Sequence, residues 1–137
     1  VIGDAQEFQV LLHSFLREYE LTEATTVADA MKIMRNEKNY FDLILLDLSF
    51  PDGNGMQVLT SLRESPLYKD TPIIIVSGDS NVLTKITAFG LGADDYMSKP
   101  FDYGELKARI ATRLRVAKIQ QKEKSQFSYG DLQIDST

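Results

Sequence analysis

Four polar residues with the capacity for chemistry stand at the ends of short apolar runs in this chain. They are Asp4, Asp47, Ser77 and Lys99. We expect the runs to be parallel strands, whose carboxyl ends form one edge of a sheet, so these side chains should converge there. Two carboxylates, a hydroxyl and an ammonium suit phosphoryl transfer, which needs a nucleophile, charge neutralisation and positioning.

Each of these residues has a role in that chemistry and a plainer structural alternative. Asp47 could act as the nucleophile and form an acyl phosphate, while Asp4 and Asp47 could supply oxygen ligands to Mg²⁺. Lys99 would offset phosphoryl charge as a point cation, and Ser77 could donate a hydrogen bond. In the plainer alternatives, Asp47 caps the end of a strand and Asp4 is a helix N-cap. Lys99 is then a solvated surface lysine and Ser77 a buried hydroxyl. His13, on the polar side of a predicted helix, is assigned no role.

The elements that must position these residues alternate between strand and helix. Residues 41–46 and 73–76 are nearly unbroken apolar runs, which are typical of strands buried on both faces of a parallel sheet. Five rounds of strand and helix indicate an open, doubly wound α/β domain. The predicted strands are 1–2, 21–25, 41–46, 73–76 and 95–98, and the predicted helices are 8–19, 27–36, 56–65, 81–91 and one that starts at Asp102.

Composition narrows the classes of function. The 137 residues are enough for one domain plus a tail. The chain has no cysteine, which excludes disulfides and thiolate metal sites. No apolar run approaches the roughly 20 residues that span a bilayer, and no signal peptide is visible, so we expect a cytoplasmic location and no membrane partner. The formal net charge of −5 makes this stretch alone a poor candidate for binding DNA.

Three segments resemble the receiver domain of two-component response regulators. Residues 47–55 (DLSFPDGNG) resemble its phosphorylation segment, residues 72–78 (PIIIVSG) its fourth strand, and residues 92–101 (GADDYMSKPF) its fifth-strand signature. The resemblance covers roughly residues 1–120, and three motifs in this order and spacing are highly specific. It implies a flavodoxin-like (CheY-like) α/β fold, with five parallel strands in the order 2-1-3-4-5 and helices on both faces.

The same resemblance implies that Asp47 is the phosphoacceptor and that a sensor histidine kinase supplies the phosphoryl group. Mg²⁺ would be held by Asp4, Asp47 and the backbone carbonyl of Ser49. The family usually has two adjacent acidic residues after its first strand, and these positions align with Gly3 and Asp4. The missing carboxylate predicts weaker binding of Mg²⁺ and, with it, weaker phosphorylation.

Three further roles follow from the resemblance. Ser77 and Lys99 would contact the phosphoryl group, and Ser77 would also be the switch hydroxyl. Tyr96 would be the switch aromatic residue, which turns inward as Ser77 moves toward the phosphoryl oxygens. Lys99 would be joined to Pro100 by a cis peptide bond, a geometry that proline makes accessible.

The end of the chain indicates an attached output domain. Residues 113–124 are basic and rich in glutamine, which predicts a helix end near Leu114 and then a linker. Residues 127–135 resemble the first strand of the winged-helix effector domain in the OmpR/PhoB subfamily. We therefore expect a receiver domain at 1–120, and a linker with the start of a truncated effector domain at 121–137. The parent protein would regulate transcription, and DNA would bind only through the missing part of that effector domain.

A homodimer is a further implication of the subfamily resemblance. Members dimerise through charge pairs on the face formed by helix 4, strand 5 and helix 5. Lys85 and Glu105 align with one pair, and Asp95 and Arg109 align with a second. Phe89 stands where the acid of a third pair is expected, and an exposed phenylalanine could bury area at a two-fold interface.

Other functions remain open at this point. The chain could be a receiver with a different output, or an impaired pseudo-receiver that acts by protein contacts alone, which Gly3 motivates. A small flavin-binding or hydrolytic enzyme is a different class for the same fold. No Gly-rich loop follows the first predicted strand, and no Gly-x-Ser-x-Gly turn is present, so we do not expect an enzyme.

Overall fold

The structure is a computed structural model, and it describes residues 19, 22, 24, 26–36, 38, 40–50, 53–79 and 81–127. The predicted first strand and Asp4 lie outside these residues, as does the predicted first helix apart from Tyr19. Of the predicted strand at 21–25, only Thr22 and Ala24 are described. No helix in the described ranges is long and apolar enough to cross a membrane.

The helices of the described ranges begin close to their predicted starts. The side chains of Thr26, Asn54 and Asn81 each accept a backbone N–H from the first turn of the following helix, at 2.8–3.0 Å, which satisfies a donor that has no partner within the helix. The Asp102 carboxylate does the same for the Glu105 N–H at 3.1 Å. The helices are α1 (Val27–Arg35), α2 (Gly55–Glu64), α3 (Val82–Gly90) and α4 (Tyr103–Phe127).

The strands of the described residues are β1 (Ile44–Asp47), β2 (Ser49–Phe50), β3 (Gly53–Asn54), β4 (Ile73–Ser77) and β5 (Asp95–Ser98). Three of them form a parallel sheet in the order β1-β4-β5. The register of this sheet pairs Asp47 with Val76 and Ser77 with Ser98. A short antiparallel pair, β2 with β3, follows β1 directly.

The core lies on both faces of this sheet, as the unbroken apolar runs predicted. Alternate strand residues point to opposite faces, so Leu46 and Ile75 pack with α2 on one side and Leu45 and Ile74 pack with α4 on the other. Each fully buried side chain of this size contributes roughly 1.5–3 kcal/mol by leaving water. The two helix layers therefore fix which strand residues can reach the carboxyl edge.

The predicted end of the last helix near Leu114 is wrong, because α4 continues to Phe127. Residues 115–127 contain no glycine or proline and are rich in lysine and glutamine, which are good helix formers. Of the predicted strand at 127–135, only Phe127 is described, and it is helical.

Candidate functional site

Asp47 is the last residue of β1, and only 1% of it is exposed. The Lys99 ammonium donates a hydrogen bond to Asp47 Oδ2 and forms an ion pair with it. Burying a carboxylate is unfavourable unless an opposite charge and hydrogen bonds compensate for the lost water. The ion pair with Lys99 therefore offsets part of the cost of burying the Asp47 side chain at the carboxyl edge of the sheet.

Lys99 is held at this edge through its backbone. Its N–H donates to the Ser77 carbonyl at 2.7 Å, which continues the pairing of β4 and β5 by one residue. The Lys99–Pro100 peptide bond is cis, as the resemblance predicted. The Lys99 side chain is 29% exposed, so it lies between the buried carboxylate and the solvent at this edge.

Ser77 ends β4, the central strand of the described sheet, and is 3% exposed. Its Oγ accepts the Asp79 N–H at 3.0 Å. Because the oxygen is the acceptor in that bond, the hydroxyl proton can serve as a donor. Three of the four side chains singled out in the sequence, Asp47, Ser77 and Lys99, thus lie at one edge. Asp4 lies outside the described residues.

The segment after Asp47 is shaped by close packing as well as by turn chemistry. Ser49 in β2 pairs with Asn54 in β3, and the Gly55 N–H donates to the Leu48 carbonyl at 3.2 Å. A Cβ atom on Gly55 would lie 2.6 Å from Leu48 Cα. The start of α2 can approach the backbone beside Asp47 only because residue 55 has no side chain.

Of the predicted metal ligands, Asp47 and Ser49 lie among the described residues. Within residues 19–127, as far as they are described, no group of three or more His, Cys, Asp or Glu side chains could hold a metal ion. Asp47 and the backbone of Ser49 follow each other closely at the carboxyl edge. A carboxylate and a backbone carbonyl are both oxygen donors of the kind that Mg²⁺ takes.

Tyr96 is already turned inward in this structure. It lies in the middle of β5 and is 8% exposed. Its hydroxyl donates to the Asp79 carbonyl at 2.8 Å, and the Lys85 ammonium lies 5.6 Å from its ring centroid, within the range of a cation–π interaction. The sequence predicted an inward turn linked to movement of Ser77, whereas here the ring is buried while Ser77 bonds to Asp79.

The residues of the predicted dimer face lie on α3, β5 and α4, and several are paired within the chain. Arg109 donates to Asp95 Oδ1 at 2.6 Å and to Glu105 Oε1 at 3.0 Å, and Arg113 lies 3.8 Å from Asp95. The hydrogen bond with Glu105, more than the charge of Asp95, raises the pKa of Arg109 above its ordinary value. Phe89 is 48% exposed.

Two groups that the sequence did not single out make several contacts each. Asp79 lies in the loop between β4 and α3 and forms hydrogen bonds with four other residues. Arg63 forms hydrogen bonds with five residues at the opposite end of the sheet. The sequence contained only a weak local signal for Asp79, because an aspartate in a loop often bonds to the backbone two residues further on. Nothing in the sequence near Arg63 marks its distant partners.

Comparison with known proteins identifies relatives whose names describe transcriptional regulators. The transcriptional regulatory protein KdpE of Staphylococcus aureus is 38% identical over 117 residues, which cover 85% of this chain and 48% of that protein. The cell cycle transcriptional regulator CtrA of Caulobacter vibrioides is 50% identical over 78 residues, which cover 57% of this chain and 33% of that protein. The chain thus spans between a third and a half of the length of these relatives.

Solved structures confirm the predicted fold. A CheY-like response regulator receiver domain protein from Methanospirillum hungatei has a TM-score of 0.79 and 24% identity, over 87% of this chain and 94% of that chain. The BeF3-activated receiver domain of RstA from Klebsiella pneumoniae has a TM-score of 0.73 and 26% identity, over 83% of this chain and 95% of that chain. The order β1-β4-β5 corresponds to the last three places of the predicted order 2-1-3-4-5.

The family model of the response regulator receiver domain matches residues 1–111. Receiver domains of this family interact with histidine kinases, often dimerise and generally bind Mg²⁺ at the phosphorylation site. Since the match covers most of the sequence and the carboxyl edge of the sheet carries the expected side chains, the chain belongs to the response regulator receiver domain family.

Proposed function

We propose that this receiver domain accepts a phosphoryl group on Asp47 from a sensor histidine kinase. The observation that carries the proposal is the buried Asp47 carboxylate in contact with the Lys99 ammonium at the carboxyl edge. A bond forms between an Asp47 oxygen and phosphorus as the bond from phosphorus to the donor nitrogen breaks, and that nitrogen keeps the electron pair. An aspartate is a suitable nucleophile for such a transfer.

Lys99 and Ser77 would stabilise the charge that develops on the phosphoryl oxygens. The ammonium of Lys99, which bonds to Asp47 in this structure, can shift to a phosphoryl oxygen and stay at the carboxyl edge of the sheet. The backbone hydrogen bond to Ser77 holds residue 99 in place during this shift. The Ser77 hydroxyl can donate a second hydrogen bond to the same group. Fixed donors of this kind favour the transition state because little reorganisation is needed.

The oxygen donors at this edge fit Mg²⁺. Asp47 and the Ser49 carbonyl would hold it together with Asp4, which lies outside the described residues. When bound, Mg²⁺ would neutralise part of the charge on the phosphoryl group. Gly3 replaces one of the two acidic residues usual in the family, so we expect the ion to bind weakly.

Acetyl phosphate with Mg²⁺ provides the test. Intact mass measurement should show a gain of one phosphoryl group in the wild type and in Asp42→Asn, an exposed carboxylate on the loop before β1. Asp47→Asn should show no gain. A Gly3→Asp variant should reach the same gain at a lower Mg²⁺ concentration. No gain in the wild type under conditions that modify a standard receiver, or a gain that persists in Asp47→Asn, contradicts the proposal.

The proposed output is control of transcription by a DNA-binding domain outside this sequence. The relatives carry names of transcriptional regulators and are two to three times longer than the matched segments, and residues 127–135 resemble the start of a winged-helix domain. We place the domain boundary near residue 120 and the protein in the cytoplasm, where a kinase core and DNA are both accessible. A full-length gene without a helix-turn-helix segment after residue 137 would contradict this output.

The proposed homodimer uses the face of α3, β5 and α4. Arg109 already bonds to Asp95 and Glu105 within the chain, and such pairs can exchange across a two-fold axis. Exposed apolar side chains along α3 would add buried area; they are Val82, Leu83, Ile86 and Phe89.

Sedimentation of the phosphorylated domain tests this dimer. Arg109→Glu and Lys85→Glu should weaken phosphorylation-dependent dimerisation, because each places like charges opposite each other. Arg115→Glu, an exposed arginine farther along α4, is the matched control and should dimerise as the wild type does. Unchanged dimerisation in the first two variants argues against this face.

A further inference from the structure

The loop between β4 and α3 is organised around one residue, Asp79. Its backbone N–H donates to Ser77 Oγ at 3.0 Å, and its carbonyl accepts the Tyr96 hydroxyl at 2.8 Å. Its carboxylate accepts the Asn81 N–H on Oδ1 and the Thr84 hydroxyl on Oδ2, both at 2.8 Å. Both backbone polar groups and both carboxylate oxygens of one residue are therefore in use.

These four hydrogen bonds lead to three different parts of the molecule. Ser77 belongs to the candidate phosphorylation site, Tyr96 to β5, and Asn81 and Thr84 to the start of α3. The bonds from Asn81 and Thr84 lower the pKa of the Asp79 carboxyl, so the charged form is favoured. A negative charge beside the first turn is also stabilised by the helix dipole.

Helix α3 is the element that such a link would move. Ala88 is its fully buried residue, and its outer face exposes Leu83 and Ile86 to 69% and 61%. A helix with so little buried area is held weakly against the sheet. Its position therefore depends on the contacts at its ends, among which the bonds to Asp79 are prominent.

We propose that Asp79 is a positioning residue that ties the position of Ser77 to that of α3 through its carboxylate. The proposal rests on phosphorylation of Asp47 and adds a route by which it reaches the exposed face of α3. Movement of Ser77 toward a phosphoryl group pulls on the Asp79 N–H, and the bonds to Asn81 and Thr84 carry the loop and the first turn of α3 along as one unit. The bond to Tyr96 keeps the ring with the same loop.

The experiment separates the chemistry from its transmission. Phosphoryl uptake from acetyl phosphate is followed by intact mass, and the methyl NMR signals of Leu83, Ile86 and Val76 are recorded before and after. Thr84→Val removes the hydroxyl that bonds to Asp79 Oδ2 and keeps nearly the same shape. Asp79→Ala removes both carboxylate bonds. Thr87→Val is the matched control, because its hydroxyl bonds to the Leu83 carbonyl within α3.

We expect all three variants to take up one phosphoryl group. In Asp79→Ala and Thr84→Val the shift changes at Leu83 and Ile86 should fall to about half or less, since coupling through a broken contact is reduced, while the change at Val76 in β4 remains. Thr87→Val should match the wild type. Asp79→Asn, which keeps one carboxamide oxygen as an acceptor, should recover part of the response.

Full-size shift changes at Leu83 and Ile86 in both Asp79→Ala and Thr84→Val overturn the proposal. If Asp79→Ala does not fold, Thr84→Val decides alone, because it alters a single exposed hydroxyl. Absence of a phosphoryl gain in the wild type is a different result and overturns the proposed function itself. Loss of the change at Val76 together with that at α3 also counts against Asp79, since it places the defect at Ser77 instead.

Discussion

The carboxyl and amino ends of the parallel sheet both carry charged groups, and their surroundings differ. At the carboxyl end, the buried Asp47 carboxylate meets the ammonium of Lys99, whose side chain is 29% exposed. At the amino end, Arg63 lies at the end of α2 and is 17% exposed. Its guanidinium donates to the Asp94 carboxylate at 2.8 Å and to four backbone carbonyls, those of Tyr68, Lys69, Thr71 and Gly92.

The amino end is thus a fixed junction. Asp94 also accepts the Ile73 N–H at 2.8 Å, so one ion pair joins the end of α2 to the starts of β4 and β5. The fork of donors on an arginine suits such a junction, whereas the single ammonium of a lysine can exchange one acceptor for another. The difference supports the proposal that Lys99 takes part in phosphoryl transfer, whereas the contacts of Arg63 stabilise the fold.

The largest expected effect is on chemistry at the carboxyl end. Lys99→Met should slow phosphoryl uptake by about 100-fold, because it removes a fixed donor to the transferring group. The measurement is the time course of the mass gain with acetyl phosphate. Lys69→Met, at an exposed position, is the control. An unchanged rate in Lys99→Met removes the distinction between the two ends.

Removal of the Arg63 junction should lower the stability of the fold and leave phosphoryl uptake unchanged. Arg63→Met should lower the free energy of unfolding by about 3 kcal/mol, because several hydrogen bonds to a mostly buried charge are lost. Urea unfolding followed by circular dichroism measures the change, with the exposed Arg35→Met as control. Phosphoryl uptake at a temperature where the variant is folded should match the wild type, and slow uptake there contradicts the assignment.

A smaller loss is expected from Gly92→Ala. Gly92 has a φ of 111°, and a Cβ atom there would lie 2.8 Å from Arg63 Cγ. The strained backbone and the displaced arginine should together lower the free energy of unfolding by about 1–3 kcal/mol. Gly90→Ala is the matched control, because a Cβ atom on Gly90 meets nothing within 4 Å. Since alanine favours a helix more than glycine does, this change should leave the free energy of unfolding unchanged or raise it slightly. Equal effects in the two variants contradict a junction that depends on close packing at residue 92.

The smallest effect concerns pH at the amino end. Burial raises the pKa of the Tyr68 hydroxyl, so the folded state favours its neutral form. That contribution is fully present below the pKa of an unfolded tyrosine, about 10, and is lost as the pH rises through the higher folded pKa. The free energy of unfolding should fall less steeply above this pH in Tyr68→Phe than in the wild type or in Tyr40→Phe, whose tyrosine is 52% exposed. Identical slopes in all three proteins contradict the prediction.

Much of this architecture could be predicted from local sequence. The runs that became β1, β4 and β5 are apolar throughout, and the burial of strands on both faces requires that pattern. The positions of Asp47, Ser77 and Lys99 follow from where those runs end. Gly55 belongs to the motif at 47–55, but the reason that this residue is a glycine is the approach of α2 to Leu48, which no local pattern contains.

By itself, the sequence determined the family, the type and order of β1, β4, β5 and the four helices, and the residues at the carboxyl edge, since all of these depend on periodicity and motifs within short segments. The short pair of β2 and β3 was not predicted. Only the tertiary structure decided which polar groups bond to each other. The contacts of Lys99 with Asp47, Arg63 with Asp94 and Tyr96 with Asp79 join residues 52, 31 and 17 positions apart. Such partners are chosen by the packing of helices on the sheet, because a buried polar group must bond to whatever the fold brings within reach.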